Sequence, residues 1–144
     1  MTAISTAKAR TRIGALPPVT PISLPIKGST KIVAGALVDR DAAGYAVNAA
    51  TNTTGKPVGV AQETYDNSSG ADGAISGNFL AGCWVFENSS SGDLITIAEV
   101  GTDCYVVDNN TVAKTSNSNA RHVAGKVYSV EADGRVGVVI DPVG

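Results

Sequence analysis

His122 is the single histidine in a chain of 144 residues. Any serine–histidine–aspartate or cysteine–histidine machinery must therefore pass through it. It stands beside Arg121 at the start of an apolar run, no G-x-S-x-G elbow opens a helix, and neither cysteine carries a nucleophile signature. The expected role is a surface or edge-strand histidine. Cys83 and Cys104 both lie in apolar text, where a free thiol packs as a small hydrophobe. A disulfide between them requires neighbouring strands and an oxidising compartment. Asp66, Asn67 and Asp72 offer oxygen ligands, but their spacing departs from a calcium loop. Gly70, Gly73 and Gly77 lack the frame of a phosphate-binding loop. One histidine and two distant cysteines supply no four-ligand zinc site without carboxylates. The residues thus read as those of a protein that is not an enzyme, with no metal and no cofactor.

The elements that would carry these residues differ sharply along the chain. Residues 1–38 hold Lys8, Arg10, Arg12, Lys27 and Lys31 and no acid, a charge of +5, while the rest carries −7. Four of the six prolines, Pro17, Pro18, Pro21 and Pro25, fall in the same stretch. Proline lacks an amide donor and biases its predecessor toward extended geometry, so residues 1–29 are expected to form an extended basic arm. Ile13, Leu16, Ile22 and Leu24 make it too apolar for a spacer, and the arm is expected to order on a neighbouring protein through these residues, its prolines and Lys8, Arg10 and Arg12. A transit peptide is the compositional alternative, whereas a secretory signal lacks its apolar core. No run approaches the roughly 18 apolar residues of a membrane span, and the body has no basic stripe interleaved with aromatics. Neither a membrane nor a nucleic acid is an expected partner.

Residues 30–144 read as an all-β body. Val and Ile outnumber Leu by 27 to 5, which favours pleated surfaces over helices. Apolar runs at 31–38, 44–47, 58–61, 79–86, 104–107, 111–113, 123–130 and 135–140 are separated by turn residues. Asn109-Asn110 and Asp133-Gly134 predict tight hairpins, and 67–73 a longer loop. Thr96 followed by Glu99 and Gly101 predicts one capped helical turn over 96–101. The expected fold is a small β-barrel or β-sandwich with at most one or two helical turns.

The order of five pieces is informative: TYDNSSGADG at 64–73, WVFENS at 84–89, IAEVGTDCYVV at 97–107, DNNTVAKT at 108–115 and RHVAGKVYSVEADG at 121–134. This ordered set, across about residues 30–141, resembles the capsid decoration, or head cement, proteins of tailed phages and prophages. The resemblance implies a non-catalytic virion protein, made in the host cytoplasm, that binds the outside of the mature shell as a homotrimer. It would clamp adjacent major capsid subunits, with the arm lying across them. The alternative reading is a head-fibre or tail-associated adhesin domain, whose Ser/Thr/Asn-rich loops at 67–70 and 88–92 would bind a carbohydrate or host receptor.

Overall fold

A computed structural model describes residues 3–14 and 21–142 of the chain. Among the described residues, short β-branched runs form thirteen strands: β1 (Arg12–Gly14), β2 (Ile22–Pro25), β3 (Thr30–Ile32), β4 (Leu37–Arg40), β5 (Ala46–Asn48), β6 (Lys56–Ala61), β7 (Tyr65–Asn67), β8 (Ser76–Leu80), β9 (Gly82–Phe86), β10 (Asp103–Val106), β11 (Val112–Ala113), β12 (Val123–Val130) and β13 (Val136–Ile140). They make a six-stranded sheet in the order β1-β9-β13-β12-β10-β11, a five-stranded sheet in the order β2-β8-β6-β4-β5, and a two-stranded sheet of β3 and β7, which are far apart in the chain. Every ladder between these strands is antiparallel. The fold is all-β, and among the described residues neither large sheet closes on itself as a barrel would.

Two apolar cores explain which faces meet. Leu37 and Val60 of the five-stranded sheet join Trp84, Phe86, Val127 and Val138 of the six-stranded sheet in one cluster. The opposite face of the five-stranded sheet packs Val38, Val58 and Phe79 with Ile32 in a second. A sheet covered on both faces buries consecutive residues, as in β6, where every residue from Pro57 to Ala61 is buried. Val58 and Val60 share parity yet enter different cores. A register shift in the β4–β6 ladder re-aims one of them, beside Gly59 at φ +144°.

Two apolar runs that read as single strands are each divided. Gly35 (φ +91°) separates β3 from β4 within 31–38, and Gly82 (φ +129°) turns the chain within 79–86 from one sheet to the other. The hairpin at Asp133-Gly134 forms as expected, with Gly134 at φ +91°. Thr96 caps a single 3-10 turn (Ile97–Glu99) through a complete capping box, and Ser91–Asp93 is another 3-10 turn. Asn109-Asn110 is a correction. Val106 pairs with Val112, so the connection is longer than a two-residue turn, and neither Asn has positive φ.

The boundary at residue 29 is also corrected over the described residues. β2 adds to the edge of the five-stranded sheet against β8, Ile26 is fully buried in the core, and β1 pairs with β9. The prolines explain the edge position of β2, since Pro25 has no N–H to give a further neighbour. Leu16, Pro17 and Pro18 lie outside the described residues.

Candidate functional site

Residues 3–14 form a strap laid across both sheets, held mainly by backbone. Lys8 N–H donates to Ala34 O (2.9 Å) and Val85 N–H to Thr11 O (2.9 Å). The Asn109 side chain brackets Ile4, accepting from its N–H at 2.8 Å and donating to its carbonyl at 3.1 Å. Gly35 and Gly137 are where side chains would collide with the strap. A Cβ on Gly35 would sit 1.9 Å from Lys8 O, and one on Gly137 would sit 2.7 Å from Ile13 Cδ1.

Arg10 is the strap's anchor. Its Nε donates to Gly35 O (2.9 Å), one terminal nitrogen to Val85 O (3.0 Å) and the other to Asn110 Oδ1 (3.0 Å), with the guanidinium 4.8 Å above the Phe86 ring. Three neutral acceptors and an aromatic face replace its water. Burial pushes its pKa down to about 10, against the pull of Glu87, so it stays charged at neutral pH. Arg12 repeats the theme, donating to Ala81 O at 3.0 Å and lying over Trp84. Lys8 reaches Asn110 Oδ1 (3.4 Å) and Glu87 (3.8 Å). The basic residues expected to meet a neighbouring protein are thus engaged by the chain's own carbonyls, amides and one acid. Pro21 is exposed, and Ile22, Leu24 and Pro25 belong to β2.

His122 lies between the sheets. Its Nδ1 is 2.8 Å from Asn52 O, and its Nε2 is 2.8 Å from Oδ2 of the fully buried Asp39. The second contact is close in distance but poorly aligned as a hydrogen bond. Burial pushes the Asp39 carboxyl up, against the pull of His122. Burial lowers the His122 pKa, but Asp39 and the Asn52 carbonyl outweigh it, so the net shift is upward. Gly55 closes over the pair, since a Cβ there would come within 2.6 Å of Asp39 Oδ2. A groove of about 800 Å³, lined by Gly55, Lys56, Pro57, Val123 and Lys126 among others, opens beyond it. Both ring nitrogens face protein acceptors, so the imidazole, on the residue preceding β12, bridges β4 and the loop that follows β5.

Cys83 and Cys104 are free and buried, and burial raises the Cys83 thiol to about 11 and the Cys104 thiol to about 12. Among the described residues no group of three or more His, Cys, Asp or Glu side chains could hold a metal. No helix among them is long and apolar enough to cross a membrane.

The apolar surface is concentrated beside the capped turn. Leu94 (44% exposed), Ile97 (79%) and Val100 (49%) project from consecutive turns, and Tyr128 (61%) stands on the adjoining β12. The segment is rigidly held. Thr96 Oγ1 accepts from Ala98 N–H, Glu99 reaches back to Thr96 N–H at 2.7 Å, and Gly101 N–H donates to Val127 O at 2.8 Å. The hydrogen bonds that Glu99 accepts from the Thr96 N–H and hydroxyl hold its carboxyl below the usual carboxylate range. The signal for this site was present in the sequence as an Ile and a Val inside a capping box, where burial would have been the ordinary use. Compared with protein-family models, curated proteins and solved structures, the chain matches none.

Proposed function

We propose that this chain is a structural phage protein that decorates and stabilises the outer surface of the mature capsid, bridging adjacent major capsid subunits as a homotrimer. The observation that carries this reading is the exposed apolar tip formed by Leu94, Ile97 and Val100, with Tyr128 beside it. Water-facing apolar groups on a rigid support mark a protein-contact surface, and the capped turn lowers the entropy lost on docking. The ordered resemblance over residues 30–141 supplies the partner class. The shell contact moves from the arm to this tip, because the described part of the arm already spends its polar groups on the body.

The test is co-sedimentation with purified capsids. The wild-type protein should pellet with expanded capsids and stay in solution with unexpanded shells. Ile97→Asp should lose at least roughly tenfold in occupancy, about 1.4 kcal/mol of binding, while melting at the wild-type temperature. Failure of the wild-type protein to bind expanded capsids would sink the proposal. Deleting residues 2–26 is a poor probe, since it removes β1 and β2.

A further inference from the structure

Where the strap crosses the end of β9, four side chains meet whose combination has a chemistry of its own. Lys8 Nζ lies 3.4 Å from the side-chain carbonyl oxygen of Asn110, and 3.8 Å from a carboxylate oxygen of Glu87. Arg10 donates to the same Asn110 oxygen at 3.0 Å. Asn110 is only 6% exposed, and its backbone carbonyl accepts from Glu87 N–H at 2.9 Å, so backbone hydrogen bonding at an isolated β-bridge holds the acid's residue beside the amide's. The strap's register is pinned next to the amine by the bond from Lys8 N–H to Ala34 O.

We propose that this cluster closes the strap covalently, through an isopeptide bond between Lys8 Nζ and Asn110 Cγ. Glu87 takes a proton from the Lys8 ammonium, freeing the lone pair that attacks Cγ. The carbonyl electrons move onto Oδ1, where the Arg10 guanidinium holds the oxyanion as a preorganised donor. The tetrahedral adduct then collapses. The Cγ–Nδ2 bond breaks as Glu87 returns that proton to the departing nitrogen and takes the second proton from the newly bound one, and the released ammonia carries the second proton away as ammonium, leaving Glu87 the carboxylate it began as. An amine and a primary amide become a secondary amide and ammonia, so no oxidant, reductant or other reagent is needed. Holding amine and carbonyl in hydrogen-bond contact replaces a bimolecular encounter with an intramolecular one. Lys8 and Glu87 are each a little over one-third exposed, so the ammonia has a path to solvent. The bond would tie residue 8 to residue 110 and make the strap irremovable, and the inference stands whether or not the partner is a capsid.

Mass spectrometry of the full-length protein tests it directly. The denatured wild-type chain should weigh one ammonia less than its sequence, and proteolysis should yield a branched peptide joining Lys8 to Asn110. Lys8→Arg keeps the charge but not the nucleophile, and Glu87→Gln keeps the shape but not the base. Both should restore the full mass while still unfolding cooperatively. A wild-type chain of full mass whose Lys8 peptide is linear would overturn the proposal. So would an ammonia loss that persists in Lys8→Arg, which would place the chemistry within the asparagine alone.

Discussion

Arg10 and the Asp39–His122 pair both take charge out of water, the guanidinium on neutral acceptors and the pair on each other. Arg10 reaches two backbone carbonyls and an amide oxygen, each within 3.0 Å, and rests on Phe86. Asp39 and His122 approach to 2.8 Å without good alignment, and no well-formed hydrogen bond reaches either Asp39 oxygen. The first arrangement fastens a segment from the N-terminal end of the chain to the body and is indifferent to pH near neutrality. The second joins the two sheets and carries two titratable groups. The contrast shows how a sequence with few charges uses them: one to hold a strap, one pair to hold the sandwiching faces.

The comparison breaks most easily at the pair. His122→Ala leaves Asp39 buried without a counter-charge and should cost about 3–5 kcal/mol in urea unfolding. Replacing both residues by Ala should cost clearly less than the two single losses added together, and simple additivity would show that the pair is not coupled. Arg10→Met strands the carbonyls of Gly35 and Val85 and should cost about 2–3 kcal/mol. Its loss should be the same at every pH near neutrality, and the earliest proteolytic cuts should fall within residues 3–14.

The smallest effect sharpens the contrast through pH. Both members of the pair have raised pKa values in the folded chain, by burial for Asp39 and by its two acceptors for His122. The native state therefore holds protons that the unfolded state has released. The histidine's contribution is complete below its unfolded pKa and is lost as pH rises through the folded value. The buried Asp39 acts in the same direction at lower pH, where its ionisation begins to penalise the folded state above the ordinary carboxylate range, and once ionised it is the anion that holds the His122 proton. Thermal stability should decline as pH rises past the ordinary histidine pKa of about 6.5, and the double Ala variant should flatten that slope. An equal slope in both proteins would remove the pair as its source.

Much of the fold was legible because its signals are local. The capping box needs only Thr96 and Glu99 three residues apart, and the hairpin at Asp133-Gly134 needs only a residue that tolerates positive φ. The partners of the strap are not local. Arg10 finds acceptors at residues 35, 85 and 110, none of which has a side-chain signature that announces an arginine. Asn109 and Asn110 carried turn propensity, and the fold instead buries them as brackets for the strap, because long-range hydrogen bonds to backbone outweigh a weak local preference.

Taken by itself, the order of residues determined the all-β class, the turn chemistry, the exclusion of familiar catalytic motifs and the split between a basic start and an acidic body. Those follow from propensity, periodicity and charge, which act over a few residues. Only the tertiary structure decided that the basic start lies on that body, that His122 faces Asp39, and that Ile97 faces water. Each depends on which distant acceptors and apolar faces the sheets bring together, and no spacing along the chain encodes that directly.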